Sequence, residues 1–549
     1  MKKYVIYLLF IICSKQLFAQ SVYLHSSHQV YSFLKKVEAK QLITNYRDAV
    51  KPLTRTDIAY FLAVVDSQKI KLSQVDIDLL NYYKEEFYQE LKLMNLISES
   101  DSVILNERWN LYSYKSGGAI VNGNFVGGYT YRDWAFDKNT RTRSNGLITY
   151  GYLGNNIGGY LYFRDHQQGG SYKDPSFLFS PEQGQLPVRY TSKHVEYDYA
   201  DAQLNFDVPY VTFSIEKMSN VWGAGNRGNI ILSSKPPSYP QVKIRAKLGE
   251  KAHFTYIHSS LHSELIDPVN SYITPFSSSD STMRTIYRQK YLSAHMLEFS
   301  PINGIDIAVG ESNIYGNRSP ELLFLIPTMF IKSSEHYTVD LDNNQMFASI
   351  DINMIPNYNF YASLFIDEFS TEEFLREDRE RNQIAFTVGM QAYDLIYENT
   401  NFLFEYTRLN PWVYNHKFPD ATYQSHNYDL GHWVGQNGDL FYSGITYSPF
   451  FNLQLTFEYE KVRKGGKKEN KYQYMLPTPE FLYSPTIIDS FYGLKARYEP
   501  IRDLVVDFQI RNTSFSQEEA IPLIEQFPKT KANYTSKFDL FLGIRYNYH

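Results

Sequence analysis

From Gly117 to the C-terminus, apolar and polar side chains alternate along the chain. Phe451, Leu453, Leu455, Phe457 and Tyr459 interleave with Asn452, Gln454, Thr456, Glu458 and Glu460. A strand there has one face fit for lipid and one fit for water, because successive side chains point to opposite sides. The last stretch repeats the pattern: Phe538, Leu540, Leu542, Ile544, Tyr546 and Tyr548 oppose Lys537, Asp539, Gly543, Arg545 and Asn547, with Phe541 as the exception. Alternation over about ten residues marks a transmembrane barrel strand, although the signal in any single segment is weak.

The connections strengthen it. Tight turns are predicted at residues 154–156, 207–210, 249–251, 301–304, 355–357, 393–399, 448–450 and 499–501, five of the eight containing proline and the others Gly or Asn. Nine long polar connections separate them, among them 167–195, 261–289, 410–437 and 462–488. The expected fold is therefore an all-β, antiparallel transmembrane barrel of about 18 strands, with short turns toward the periplasm and long loops outside. Soluble sandwiches and propellers give no reason for a long-short rhythm. A barrel this wide holds an aqueous channel unless something fills it.

Before the barrel the period changes. Ile58, Phe61, Leu62 and Val65, then Val75, Leu79, Tyr83, Phe87, Leu91 and Met94, recur at three and four, as on amphipathic helices. Pro52 interrupts the first helix, and Thr54 with Asp57, then Ser73 with Asp76, supply caps for the next two. Three helices over residues 30–97 make a small periplasmic bundle, flanked by linkers at 20–29 and 98–116, with the barrel at 117–549. The bundle is the candidate plug from below.

At the N-terminus, Lys2 and Lys3 precede an apolar run ending at Cys13. This reads as a signal peptide over residues 1–19, cleaved after Ala19. Cys13 could instead be a lipoprotein cysteine, but Ile12 stands where a small residue is needed. As it is the only cysteine, the mature chain has no disulfide. No later apolar run approaches the roughly 20 residues of a membrane helix. With 48 Tyr, 37 Phe and 5 Trp, 16% of the chain is aromatic at a mean hydropathy of -0.40. That combination suits ring girdles at two lipid–water boundaries. A net charge of -5 gives no support to nucleic-acid binding.

Candidate chemistry sits in the long loops. Trp412, Tyr414, His416, Tyr423, His426, Tyr428 and Trp433 are mixed with Asn415, Asp420 and Asn427. Such rings can cover the C–H face of a sugar while amides and carboxylates take its hydroxyls. The alternative is that they pack the loop or belong to the outer girdle. Lys461, Arg463, Lys464, Lys467, Lys468 and Lys471, offset by Glu469, would attract an anionic glycan or lipopolysaccharide phosphate, or form a solvated tip. Residues 367–381 read as a salt-bridged helix rather than a calcium site. His258 and His262 are four apart at a strand end, without the helix face a metal pair needs, so no metal or other cofactor is expected. No nucleophile elbow, His-Glu-x-x-His or phosphate-binding glycine loop is present, and the chain is not expected to be an enzyme.

At Trp222 the chain reads Val221-Trp222-Gly223-Ala224-Gly225, then Gly228-Asn229-Ile230-Ile231-Leu232-Ser233-Ser234 and Pro236, Pro237 and Pro240. This resembles the Wzi-type capsule-assembly family. Further likenesses are Pro52-Leu53-Thr54-Arg55, the surroundings of His295 and Glu311, Ile366-Asp367-Glu368-Phe369, and Glu405-Tyr406-Thr407 leading to Trp412 and Tyr414. Ala224 stands where the family's proline is expected. The resemblance implies an eighteen-stranded outer-membrane barrel with a helical bundle, lectin-like, holding or organising capsular polysaccharide or exopolysaccharide. Its partners would be that polysaccharide and the lipid and lipopolysaccharide of the outer membrane, and a monomer is expected. The alternative function is a porin or substrate-specific channel. The motif glycines Gly223, Gly225 and Gly228 also allow backbone angles closed to other residues, so a purely structural role for this loop stands beside a binding one.

Overall fold

A computed structural model describes residues 21–97, 105–135, 137–275, 281–334, 337, 341–369, 382–518 and 533–548. The signal peptide with Cys13, most of the acidic segment 367–381 and His549 lie outside the described residues.

Among the described residues, eighteen antiparallel strands close on themselves. They are β1 (Ala119–Trp134), β2 (Lys138–Leu153), β3 (Ile157–Gly170), β4 (His194–Val208), β5 (Val211–Met218) and β6 (Tyr239–Lys247). Next come β7 (Ala252–Ile266), β8 (Tyr287–Ile302), β9 (Ile305–Gly316), β10 (Asn343–Ile352), β11 (Tyr358–Glu368) and β12 (Gln383–Tyr393). The last are β13 (Thr400–Leu409), β14 (Gly438–Phe450), β15 (Leu453–Lys464), β16 (Ile487–Ile501), β17 (Leu504–Gln517) and β18 (Tyr534–Tyr546). β18 closes onto β1 in the register Leu540↔Asp133 to Tyr546↔Gly127.

Below that seam the edge of β1 is covered by Tyr112–Ser116, paired from Tyr112↔Gly123 to Ser116↔Ala119. The wall thus begins before Gly117, inside the segment expected to be linker. Gly117 (φ +59°) and Gly118 (φ +80°) form the intervening turn, both in the left-handed region that a two-residue hairpin requires.

The faces follow the alternation. On β5, Ile215 is 70% exposed on the outer wall, while Glu216 is 4% exposed toward the lumen. Two expected turns are displaced. Residues 448–450 and 499–501 are still strand, and the chain reverses at Phe451-Asn452 and Arg502-Asp503. Pro449 and Pro500 sit where the ladder shifts register, between Tyr447 and Phe450 and between Tyr498 and Ile501. Proline has no N–H to give a ladder, so it occupies bulges as readily as turns. The first connection at the long-loop end is also short, three residues between Trp134 and Lys138, so eight of the nine are long.

Among the described residues, four α-helices precede the wall where three were expected: α1 (Val30–Ala39), α2 (Arg55–Asp66), α3 (Gln74–Glu86) and α4 (Tyr88–Leu93). Thr54 accepts from the Asp57 amide (3.1 Å) and Ser73 from that of Asp76 (3.2 Å), the two expected caps. Leu34, Ile58, Leu62, Leu80 and Phe87 form their core. The bundle is fastened across the short-turn rim. Asn357 donates to the Ala39 carbonyl (2.8 Å), Lys40 pairs with Asp394 (2.6 Å), Tyr82 donates to Glu499 (2.7 Å) and Arg502 to Glu85 (2.8 Å).

Lipid-facing Ile215 lies mid-strand, where replacing an apolar residue by arginine costs about 2–4 kcal/mol in a membrane barrel. Ile215→Arg should therefore lower the urea midpoint for unfolding from lipid vesicles, while Lys247→Ala, an exposed contact at the rim, should leave it within error.

Candidate functional site

Two of the long loops fold into the lumen and meet the N-terminal segment there, around a cavity of about 330 Å³. Residues 219–238 turn inward, and Val221 and Trp222 pair with Lys51 and Val50 of the N-terminal segment. Trp222 is fully buried, and the Gly223 amide donates to the Ala49 carbonyl at 2.7 Å. The glycines are packing requirements: a Cβ on Gly228 (φ +143°) would stand 2.7 Å from the His432 ring, and one on Gly225 would stand 2.3 Å from the Gly228 carbonyl oxygen. Ile230, Ile231 and Leu232 continue the loop into a buried apolar cluster with Val413, Tyr414, Tyr423, Leu430 and Val434. Wall positions Ile257, Leu292, Met296, Phe347, Phe365 and Leu440 complete it. The lumen face therefore carries an apolar patch under the loops, against the wholly polar lining that strict alternation suggests.

Charged wall residues hold the loops by their backbone. Glu405 accepts from the amides of Asn226 (2.6 Å) and Arg227 (2.9 Å) and from the Tyr361 hydroxyl (2.7 Å). The Arg227 guanidinium binds Glu460, and its carbonyl accepts from the Trp433 indole (2.7 Å). Asp367 accepts from the Tyr414 amide (2.7 Å). Lys235, on the first loop, donates to the carbonyls of Ser180 (3.0 Å), Glu182 (2.8 Å) and Phe177. Burial pushes its ammonium down to about 7, opposed by the carboxylates of Glu182, Asp174 and Asp429. Burial, with Arg227 and Lys464 nearby, pushes the His432 imidazole down to about 3, so the plug carries it neutral.

The ring-rich loop 410–437 is thus the upper half of the plug. Trp412 and Tyr414 sit at φ +74° and +73°, a strained region for aromatic residues, and are buried. Tyr414 and Tyr423 donate to the carbonyls of Ile230 (2.6 Å) and Ile231 (3.0 Å). His416 is buried as well. In this arrangement the ring faces of Trp412, Tyr414 and Tyr423 are covered by protein. His426 stays half-exposed and stacks on His262. The Lys464 ammonium is taken by the carbonyls of Val434 (2.7 Å) and Gln436. Lys467 is half-buried and Lys468 exposed, its ammonium 5.4 Å from the Tyr483 ring centre. His258 binds the Tyr315 hydroxyl (2.7 Å) and does not meet His262.

Like His426, which lines a separate cleft, Trp433 reaches a cavity among the loops. It lines a cavity of about 150 Å³ at the long-loop end with Trp134, Tyr172, Phe179, Phe491 and Tyr534. Its charge comes from Arg132 and Arg511 against Asp174, Glu182, Glu460, Asp489 and Asp539. The Arg132 guanidinium lies 3.8 Å from the Trp134 ring centre and pairs with Asp539 at 3.1 Å. Trp134 meets Tyr172 edge-on at 5.5 Å, and its indole donates to Thr140 at 2.8 Å. Tyr172 donates to Asp174 at 3.0 Å. Rings set among carboxylates and a guanidinium can bind a polyhydroxylated ring by its apolar face and its hydroxyls at once. Sequence reasoning missed Trp134, Tyr172 and Tyr534 because they come from three segments far apart in the chain, which nothing local brings together. The available signal was a tryptophan ending an alternating strand.

Comparison with known proteins gives two kinds of match. The family model described as "Capsule assembly protein Wzi" matches residues 150–506. Among solved structures, Wzi of Escherichia coli, whose structure is described as an outer-membrane carbohydrate-binding β-barrel involved in group 1 capsule assembly, is similar over 96% of this chain and 100% of its own, with 12% identity and a TM-score of 0.57. OprD of Pseudomonas aeruginosa aligns over 78% of this chain and 94% of its own, with 10% identity and a TM-score of 0.41. OccAB2 of Acinetobacter baumannii aligns over 78% and 99%, with 10% identity and a TM-score of 0.42. No curated protein sequence matches the chain.

Two outcomes are expected from the plug. Glu405→Gln weakens the hold on the Asn226 and Arg227 amides, each a bond to a charged acceptor worth about 1.5–3 kcal/mol. Trypsin should then cut folded protein after Arg227, a site protected in the unaltered chain. In planar bilayers, deletion of residues 30–97 alone should give no steady conductance, because loops 219–238 and 410–437 still fill the lumen. Deleting 30–97 together with 412–434 should open it.

Proposed function

The chain belongs to the Wzi capsule-assembly family, and we propose that it retains capsular polysaccharide or exopolysaccharide at the cell surface by binding it at the outward cleft. As a closed barrel of that family it resides in the outer membrane. In our reading the long loops face outside, and the short turns with the helical bundle face the periplasm, as in other outer-membrane barrels.

The observation carrying this reading is the cleft itself: Trp134, Tyr172 and Trp433 stand beside Arg132, Asp489 and Asp539 at the mouth where the loops are long. Its floor is the plug, so a polymer engaged there has no open path inward. Lys467 and Lys468 lie in the neighbouring loop, where positive charge draws an anionic polymer toward the mouth. What weighs against the channel reading is the apolar cluster across the lumen. Action by binding rather than turnover agrees with the lack of recognised catalytic motifs in the sequence.

The buried rings Trp412, Tyr414 and Tyr423 act in this proposal by holding the cleft's floor in place. A Trp134→Ala, Tyr172→Ala double variant should bind the bacterium's own purified surface polysaccharide at least about tenfold more weakly, about 1.4 kcal/mol, while keeping a heat-modifiable, folded migration on gels. In cells, deleting the gene should release polysaccharide into the medium. The unaltered gene should restore retention and the double variant should not. Full retention in the deletion strain would refute the proposal.

A further inference from the structure

A second outward cleft, of about 320 Å³, opens beside β7, with His262 and His426 among its lining residues. His262 and Glu264 are two residues apart near the upper end of β7. His426 comes from the tip of the plug loop, where Gln424–Ser425 and Tyr428–Asp429 form a small hairpin. His426 (φ +52°) and Asn427 (φ +62°) are its turn residues, both in the left-handed region. Such a turn takes residues that tolerate the left-handed region, asparagine and histidine among them, and it presents the His426 ring at the loop tip.

The two segments are tied by their backbones. The His426 amide donates to the His262 carbonyl at 3.3 Å, and the His262 amide donates to the Ser425 hydroxyl at 3.2 Å. The imidazoles stack with centres 4.1 Å apart and planes 10° from parallel. A Glu264 carboxylate oxygen lies 3.7 Å from His262 Nε2 and 3.8 Å from His426 Nδ1. The candidate ligand atoms of the three residues all lie within 4.8 Å of one another, the only such group of three among the described residues.

We infer that His262, Glu264 and His426 bind a divalent transition metal of the zinc class, which clasps the tip of the plug loop to the barrel wall. Two imidazoles and a carboxylate are the borderline donors that zinc accepts and that calcium and magnesium do not favour. Zinc ligands at about 2.0–2.1 Å stand about 3.3 Å from one another in a tetrahedron, so the group must contract. A metal lies near the plane of each ring that binds it, so one imidazole turns out of the stack. Both are partly exposed to the cleft, and His262 also meets the Tyr287 ring edge-on at 4.9 Å, so His426 at the loop tip is the ring that turns. Three protein ligands leave a fourth position for water on the cleft side. The inference stands apart from the glycan reading, since it concerns a different cleft and different residues.

The test is titration of zinc into full-length protein in detergent, stripped with EDTA, at pH 7.5. One zinc per chain with micromolar or tighter affinity is expected, and cobalt in its place should show the visible bands of four-coordinate N/O ligation. His426→Ala and Glu264→Gln should each weaken zinc at least tenfold. Zinc should slow hydrogen exchange at residues 424–429 in the unaltered chain and in neither variant. Glu264 is half-exposed, so its variant keeps the fold and decides the matter even if His426→Ala destabilises the loop. No saturable binding, or equal binding by the unaltered chain and the Glu264→Gln variant, overturns the inference. Polysaccharide retention measured on the same variants reports separately on the proposed function.

Discussion

Hydrocarbon offers a peptide N–H no partner, so the ladder of strands has to return to its own beginning. Here it does so at β18 and β1, with Tyr112–Ser116 covering the part of β1 that β18 does not reach. Each unpaired group left in lipid costs several kcal/mol, which makes that short segment part of the wall rather than a tether to it. The outward rows of Ile, Leu, Phe and Tyr and the register of each hairpin are consequences of this closure.

Closure at eighteen strands creates a second problem, because side chains alone cannot fill so wide a lumen. The chain answers with its own loops. Their backbones carry polar groups into the interior, and these find wall carboxylates: Glu405 for the Asn226 and Arg227 amides, Asp367 for the Tyr414 amide. A buried carboxylate and a buried amide are each costly alone and acceptable together. Loop and wall are therefore mutually dependent, and Trp433 of the plug lines the cavity at the long-loop end. In the proposed binding role that anchoring matters, since rings held in place lose little freedom when a ligand arrives.

The contrast between Trp433 and Tyr414 shows where sequence reasoning reaches its limit. Both belong to one ring-rich loop, and composition treats them alike. Tyr414 packs under Ile230 while Trp433 lines the cleft, because the loop folds inward and turns back once. Pro449 and Pro500 teach a similar lesson: a proline near a strand end reports a missing donor, which a bulge tolerates as well as a turn. Helix caps were legible, since Thr54 and Ser73 act on amides three residues away in the same segment.

By itself the sequence determined what depends on near neighbours: the period-two wall with its rhythm of short and long connections, the capped helices, and the glycine-rich loop at Trp222. Tertiary structure alone decided what depends on distant partners. It buried Trp412, Tyr414 and Tyr423, spent Lys464 on loop carbonyls, gathered Trp134, Tyr172, Trp433 and Tyr534 into one cleft, and set His426 against His262. The physical reason is that alternation states which side of a strand a residue faces but not what stands opposite it across the lumen, and that neighbour comes from chain tens to hundreds of residues away.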